Sequence, residues 1–259
     1  MKWIAMVMAA AVSLVAIPRA DAQDAASVVH SARNRIQKTT VSTRSRMVIT
    51  AKNGSTSERR IDQYSKDGPN GNRVVIVFQS PANVAGTRFL TMDTASGGED
   101  RWIFLPALGK VRRVAASEGS GSFVGTDFSY DDISIPDRDT GLDTHTILRE
   151  ETFNGAACYV IQSVPKDTGY QYSKMISWID KSSYFIYKAE MYDRKGTLVK
   201  RMELSGYKPV QDRITPMQTT VSTVAAGTST TIYVEILKYD DPIPEGVFTS
   251  SYLETGRVR

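Results

Sequence analysis

Residues 101–133, RWIFLPALGKVRRVAASEGSGSFVGTDFSYDDI, place an aromatic strand, a basic strand and a flexible segment in direct succession. Residues 102–105 are apolar on both faces, which is typical of a strand that is covered on two sides. The glycines of residues 119–122 allow backbone conformations that other residues avoid, so these residues predict a hinge. Residues 123–133 then mix aromatic and polar side chains, and we expect them to form a lid over an apolar surface.

The residues on both sides of this stretch alternate in polarity with a period of two, which is typical of β-strands. Strand-like runs lie at residues 41–50, 60–64, 74–78, 88–92, 144–151, 158–164, 175–179, 185–192, 198–207, 215–224 and 230–239. Turn signals such as Asn53-Gly54 and Asn154-Gly155 separate them. Short strands without intervening helices predict one antiparallel meander rather than βαβ units. We therefore expect a mainly β fold with a few helices, built as a large curved antiparallel sheet (an open half-barrel) in one domain over residues 23–259.

One amphipathic helix is predicted before the strands. Asp24 suits an N-cap, and apolar residues recur at helical spacing over residues 24–38, namely Ala25, Val28, Val29, Ala32 and Ile36. A strongly curved sheet has a concave face that must be filled. We expect the helix and the lid to fill it, with residues 247–253 as a second lid segment.

The N-terminus predicts export. Lys2 precedes the apolar residues 3–17, and Ala20-Asp21-Ala22 supplies the small residues that signal peptidase requires. The apolar run is shorter than the roughly 20 residues that span a bilayer. We therefore predict a signal peptide over residues 1–22 that is cleaved before Gln23.

Cysteine content and charge limit the function classes. The one cysteine, Cys158, lies in an apolar run, which predicts a small buried hydrophobe and excludes an internal disulfide. The formal net charge is +4, too small a surplus to indicate nucleic-acid binding.

A basic cluster in a short strand is the candidate for partner docking. It consists of Lys110, Arg112 and Arg113. Such a cluster suits anionic headgroups or an acidic partner, and the alternative interpretation is a solvated strand face.

Several patterns resemble enzyme motifs, but their surroundings argue against catalysis. Asp139-Thr-Gly141 and Asp167-Thr-Gly169 match the triplet of aspartic proteases, yet polar turn residues flank both. The two histidines, His30 and His145, have no cysteine or second histidine at metal-ligand spacing. A calcium loop starting at Asp137 would need a glutamate where Leu148 stands. We predict no catalytic residue, no metal and no cofactor.

Seven aromatic side chains are the candidates for lining a ligand cavity. They are Phe78, Phe89, Trp102, Phe104, Phe123, Phe128 and Trp178. Each methylene buried in such a cavity contributes about 0.8 kcal/mol, so a few suffice for useful affinity. The alternative is that these residues form the ordinary core, which for any one of them is the commoner outcome.

Three motifs together resemble one family. The run Trp102-Ile-Phe-Leu-Pro106, the basic Lys110-Val-Arg-Arg113 and the turn Gly125-Thr-Asp-Phe-Ser-Tyr130 are similar to those of the outer-membrane lipoprotein-sorting (LolA-like) periplasmic proteins. The resemblance implies an open half-barrel whose concave face carries acyl groups, and hence a lipid or acylated protein as cargo. The chain looks nearer to a divergent branch associated with RND-type exporters. The resemblance therefore implies a monomeric periplasmic protein whose partner is an RND-type exporter or an outer-membrane acceptor.

Three functions compete. The first is a periplasmic carrier that shields a lipid or lipidated cargo and transfers it between envelope components. The alternative is a non-catalytic accessory protein of an envelope export or assembly machine, with the sheet as a docking surface. The third is a hydrolase, which only the two Asp-Thr-Gly triplets support.

Overall fold

The computed structural model describes residues 24–68, 71–94 and 98–258, so the predicted signal peptide lies outside the described residues. The helices and strands within them are α1 (Ala25–Arg33), β1 (Thr40–Thr50), β2 (Thr56–Gly68), β3 (Gly71–Ser80), β4 (Arg88–Asp93), β5 (Glu99–Leu105), β6 (Lys110–Arg113), α2 (Tyr130–Ser134), β7 (Asp143–Phe153), β8 (Ala156–Pro165), β9 (Lys174–Asp180), β10 (Ile186–Tyr192), β11 (Leu198–Ser205), β12 (Lys208–Val210), β13 (Arg213–Thr215), β14 (Gln218–Thr223), β15 (Thr228–Tyr239) and α3 (Ser250–Thr255). The mainly β class predicted from the sequence is confirmed.

Thirteen of these strands form one antiparallel sheet in the order β6-β5-β4-β3-β2-β1-β15-β14-β11-β10-β9-β8-β7. The sheet is curved and does not close into a barrel, as the sequence predicts. It is not one sequential meander, however. Two meanders, β1 to β6 and β7 to β15, are joined where β1 pairs with β15, for example at Met47 opposite Ile232. Period-two patterns predict strands but not this pairing, because it depends on residues far apart in the chain.

The connection between the two meanders crosses the concave face. Because β6 and β7 are the two edge strands, residues 114–142 must pass from one edge of the sheet to the other. They contain a tight turn in which the Phe123 amide donates to the Phe128 carbonyl at 2.7 Å. Val124 and Gly125 have positive φ angles of 51° and 72° there, which favours glycine at the second position. We call residues 119–137, which include this turn and α2, the lid.

Alternate residues of β3 to β5 face opposite sides of the sheet, and both sides are covered. Val74, Ile76 and Phe78 belong to the core beneath the lid, whereas Val75 and Val77 pack against the C-terminal residues. The core beneath the lid also receives side chains from β9, β10, β11 and β14. Since one cluster joins strands from distant parts of the sheet, the face under the lid is the concave one.

Helix α1 covers the other end of the concave face, on β8 and β9. Its buried residues, Ala25, Val28, Val29 and Ala32, pack against Ile161 and Ile179. The helix ends at Arg33, earlier than the predicted residue 38, and Asn34 is its C-cap, whose amide donates to the His30 carbonyl at 2.9 Å. Among the described residues, no helix is long and apolar enough to span a membrane.

Candidate functional site

Four aromatic rings form the centre of the core between the sheet and the lid. The Phe123 ring from the lid lies 5.1 Å from the Phe89 ring, 5.7 Å from Phe78 and 5.7 Å from Tyr130, measured between centroids. Three of these contacts are tilted or edge-to-face, the arrangement that aromatic pairs prefer. Phe78, Phe89 and Phe123 are fully buried. In this conformation the lid itself fills the concave face.

The structure does not bring the seven predicted cavity residues together. Phe78, Phe89, Phe123 and Phe128 share the core beneath the lid. Trp102 and Phe104 lie on the convex face, where they pack under the C-terminal residues. Trp178 also lies on the convex face, near the other edge, where the Lys188 ammonium sits 3.6 Å from its ring centre. The sequence could not show that Trp102, Phe104 and Trp178 lie on the convex face. Alternation along a strand separates its two faces but does not say which of them is concave.

The second lid candidate, residues 247–253, also lies on the convex face. Val247, Phe248 and Leu253 are buried against Val75 and Leu90. The expectation that these residues cover the concave face is therefore wrong. The reason is that the chain leaves β15 toward the convex side, where the odd-numbered residues of β3 need a cover.

Methionines line the concave face away from the aromatic centre. Met47, Met175, Met191 and Met202 come from four different strands and are all buried in the same core. Methionine side chains are flexible and polarizable, and they adapt to irregular apolar shapes. This half of the concave face can therefore adapt its packing more readily than the aromatic centre.

Asp127 is a buried lid carboxylate that is fastened to the β14–β15 hairpin. The Thr223 and Thr228 hydroxyls donate to its Oδ1 at 2.6 and 2.5 Å, and the Thr230 hydroxyl donates to its Oδ2 at 2.8 Å. A buried carboxylate is costly unless such donors surround it. The three threonines therefore form a specific receptor for the turn of the lid.

Asp132 is a second buried lid carboxylate, bound beside the first, because its donor Lys200 on β11 pairs directly with Thr223 of β14. It accepts hydrogen bonds from the Tyr172 hydroxyl at 2.6 Å and from the Lys200 ammonium at 2.5 Å. The Ser129 amide also donates to it at 2.7 Å, as a capping residue of α2. Burial raises the pKa of Tyr172, and the neighbouring Asp132 charge adds to the effect.

Arg101 of β5 fastens the end of the lid. Its guanidinium donates to Asp131 at 2.6 Å and to Glu99 at 2.7 Å, and the Ser134 hydroxyl donates to the same Glu99 carboxylate at 2.7 Å. Burial raises the pKa of Glu99, although Arg101 and Ser134 oppose the shift. Polar anchors of this kind were missed from the sequence, because nothing local shows which strand a lid aspartate reaches.

The two glycines of the predicted hinge are held in close contacts. A Cβ on Gly119 would lie 2.3 Å from Asp131 Oδ1, and one on Gly121 would lie 2.9 Å from the Glu118 carbonyl oxygen. Both positions therefore require glycine for space.

A cavity of 220 Å³, which we call the rim cavity, lies where α1, the end of the lid and strands β1, β2 and β15 meet. Its polar lining comprises Arg33, Arg35, Lys38, Gln63, Ser65 and Tyr239. A wider polar cleft of 400 Å³ adjoins it and shares Arg33 and Lys38.

The basic strand β6 lies at an edge of the sheet. Lys110 is exposed, Arg112 donates to Glu118 at 2.9 Å, and Arg113 pairs with Asp100. Two of the three cations therefore already have carboxylate partners. Docking through this cluster stays a prediction.

The residues of the enzyme-like motifs form turns. The Asp139 and Asp167 carboxylates each accept a hydrogen bond at 2.6 Å from the amide two residues later. His145 is fixed between the Ser163 hydroxyl and the Thr140 carbonyl oxygen. In the part of the chain that the structure describes, no group of three or more His, Cys, Asp or Glu side chains is arranged to hold a metal ion.

Comparisons with known proteins place the fold among envelope proteins. A family model described as an uncharacterized protein matches residues 70–255. An outer membrane lipoprotein-sorting protein domain from Vibrio parahaemolyticus is 27% identical with a TM-score of 0.83, covering 89% of this chain and 98% of that one. A DUF1329 family protein from Desulfovibrio piger is 28% identical with a TM-score of 0.83, covering 88% and 97%.

A LolA superfamily protein from Nitrosomonas europaea shares the fold at 22% identity and a TM-score of 0.73, covering 89% of this chain and 100% of that one. No curated protein sequence matches the chain significantly.

Proposed function

This chain belongs to the family whose model matches residues 70–255, a divergent branch of the outer-membrane lipoprotein-sorting (LolA-like) family, and we propose that it is a carrier of lipid or lipidated cargo. In this proposal residues 23–259 act as one domain in the periplasm after the signal peptide is removed. The carrier catalyses no reaction. Its cargo passes between envelope components, with an RND-type exporter or an outer-membrane acceptor as partner.

The observation that carries the proposal is the way in which the lid is held. An apolar concave face is covered by a segment whose buried carboxylates, Asp127 and Asp132, bind donors on three neighbouring strands, β15, β14 and β11. Such directional contacts are either made or broken, so they define a closed lid and a released one. A cargo with higher affinity for the released state shifts the equilibrium toward it.

The acyl chain would replace the lid aromatics over the concave face. Phe123 leaves the core when the lid moves, and the four methionines repack around the chain. Each methylene buried in this way contributes about 0.8 kcal/mol, which offsets the exposure of the Phe123 ring in the released lid.

The first test is mass spectrometry of lipid extracted from protein purified gently from its own periplasm. We expect lipid in the extract, and its mass names the cargo class. Protein that is free of lipid and also fails to bind dansyl-labelled undecanoic acid would overturn the carrier proposal.

The second test uses a matched pair of aspartate variants. Asp127→Asn weakens the contacts between the lid and the threonine receptor, whereas Asp139→Asn changes a carboxylate that accepts only from its own turn. We expect only the Asp127→Asn variant to take up dansyl-labelled undecanoic acid faster than the wild type, as measured by stopped-flow fluorescence. Equal uptake rates in both variants and the wild type would contradict a lid that controls entry.

A second candidate function is a docking protein of an envelope machine. It is favoured by the filled concave face and by the two edge strands, β6 and β7, which can accept a strand from a partner. A stoichiometric protein partner that cross-links in envelope preparations without any bound lipid would favour this function over the carrier.

A further inference from the structure

The rim cavity has the position, size and charge of a site for a small anion. Its 220 Å³ is below the range of roughly 300–1,000 Å³ that is typical of pockets for drug-sized ligands. We infer that the rim cavity binds the anionic headgroup, a phosphate or a carboxylate, of an amphiphilic cargo whose acyl chain enters beneath the lid. This inference rests on the carrier function proposed above.

The lining of the cavity is unbalanced in charge. Arg33, Arg35 and Lys38 contribute three cations, and no carboxylate is among the described residues that line it, although Lys38 pairs with Asp67 of the adjoining cleft at 3.6 Å. In the adjoining cleft, the carboxylates of Asp67, Asp93 and Asp139 are balanced by the cations of Arg33, Lys38 and Arg138. An anion is therefore attracted more strongly to the rim cavity, through Arg33 and Arg35, than to the wider cleft next to it.

Arg33 is only partly neutralised by its neighbours. It lies 3.6 Å from Asp143, but Arg138 donates to the same carboxylate at 2.8 Å. The Asp143 side chain is fully buried, and one carboxylate thus serves two guanidinium groups. A positive charge remains at the end of α1.

Arg35 is held in place by neutral groups. Its guanidinium donates to the Ile214 carbonyl oxygen at 2.6 Å and stacks 4.5 Å from the centre of the Phe185 ring. Among the residues that the structure describes, no carboxylate lies within 4.0 Å of it. Burial lowers the pKa of both Arg35 and Arg33, so an incoming anion would stabilise their charged forms.

The cavity adjoins the apolar core that the lid covers. Its polar residues Gln63 and Ser65 lie on β2 directly opposite Ile76 and Val74 of β3, which belong to that core. Directly opposed residues on one face of a sheet have Cβ atoms only about 5 Å apart. A headgroup in the rim cavity therefore leaves its acyl chain next to the concave face.

The test compares two lipids that differ only in the phosphate. Isothermal titration calorimetry measures binding of 1-myristoyl lysophosphatidic acid and of monomyristoylglycerol, with inorganic phosphate as a third ligand. We expect the wild type to bind the phosphate-bearing lipid with about tenfold higher affinity, because one charge-assisted hydrogen bond provides a difference of this size. Inorganic phosphate alone should bind far more weakly, because it has no acyl chain.

Three variants locate the preference. Arg35→Gln should reduce it to less than about threefold without changing the affinity for monomyristoylglycerol. Arg35→Lys keeps the charge but loses the planar guanidinium, so it should retain only part of the preference. The matched control is Arg88→Gln, because Arg88 also donates to a carbonyl, of Leu253, and stacks 5.3 Å from the centre of the Phe104 ring, but lies outside the cavity lining. Circular dichroism verifies that each variant is folded.

The outcomes separate this inference from the carrier function. Equal affinity of the wild type for the two lipids would overturn the headgroup site and leave the carrier intact. If neither lipid binds, the carrier function is overturned and the headgroup site with it. Inorganic phosphate binding as tightly as the lipid would indicate a free-anion site instead. An equal reduction of the preference in Arg88→Gln would contradict the assignment to the rim cavity.

Discussion

The lid and the C-terminal residues 243–253 cover opposite faces of the same strands, but they are held by different contacts. The C-terminal residues bury Ile243, Val247, Phe248 and Leu253 against the convex face, and the Glu245 carboxylate at their edge is mostly exposed. The lid also buries aromatic rings, but it adds two carboxylates, Asp127 and Asp132, that are buried inside the contact and bound mainly by donors outside the lid.

This difference separates a permanent cover from a movable one. Apolar contacts are not directional, so their stabilising free energy decreases gradually as the two surfaces move apart. A buried carboxylate is stable only while its hydrogen-bond donors are in place. Asp127 and Asp132 therefore keep the lid bound in one position, and the lid is released when their hydrogen bonds break. We therefore expect changes in the lid to alter both stability and probe uptake, and changes in the C-terminal residues to alter stability alone.

The largest effect is expected from Phe123→Ala, which removes the ring at the centre of the core. It should lower the free energy of unfolding by about 3–5 kcal/mol, measured by urea unfolding, because a buried aromatic ring leaves a cavity. It should also accelerate uptake of dansyl-labelled undecanoic acid. Leu253→Ala is the matched change on the convex face, with an expected cost of about 2–5 kcal/mol and an unchanged uptake rate. Faster uptake in Leu253→Ala would break the comparison.

Lys200→Met removes the cation from the buried pair with Asp132. The side chains of this pair are 14% and 0% exposed, and loss of one partner of a buried pair costs about 3 kcal/mol. Lys188→Met is the control, since Lys188 pairs with Glu190 at 3.2 Å and is 17% exposed, but lies on the convex face. Urea unfolding should show that both variants are destabilised, and only Lys200→Met should accelerate uptake. The same uptake rate in both variants would argue against a role for the Asp132 anchor.

Gly119→Ala tests why glycine is needed at the start of the lid: because a side chain would clash there, or because the backbone must be flexible. The added methyl group meets Asp131, which Arg101 holds in place, so we expect a loss of about 1–3 kcal/mol from overpacking. A double-mutant cycle with Asp131→Ala should give a coupling energy, because the second change removes the clash. Additive effects on stability would mean that Gly119 acts through backbone freedom, as a hinge.

The smallest effect is expected from Lys66→Met, which removes one of two cations from the Glu245 carboxylate. Arg73 also donates to this carboxylate at 2.6 Å, and the Glu245 side chain is 63% exposed. Because solvent screens the charges, such a surface pair contributes little to the free energy of unfolding. The urea midpoint and the uptake rate should therefore both match the wild type, and a clear change in either would show that charge also fastens the convex cover.

The sequence predicted most of the strands of the large sheet, but not β12 and β13. The runs at residues 74–78 and 158–164 became β3 and β8, because a short apolar run bounded by turn residues is a local signal. The short β12 and β13, which form a separate two-stranded sheet, were missed since three residues carry no period. Helix α2 has a local signal that was not used, the Ser129-x-x-Asp132 capping pattern.

The sequence by itself determined the fold class, the place of the lid segment and the set of aromatic residues available to a core. These depend on alternation, turn residues and motifs that are read within a few neighbours along the chain. Only the tertiary structure decided which aromatics share the concave face, that β1 joins β15, and that Asp127 reaches Thr230, a residue 103 positions away. The reason is physical: the side of a sheet that becomes concave, and the partners of a buried charge, are set by strand order and by the path between its edges, which no local pattern contains.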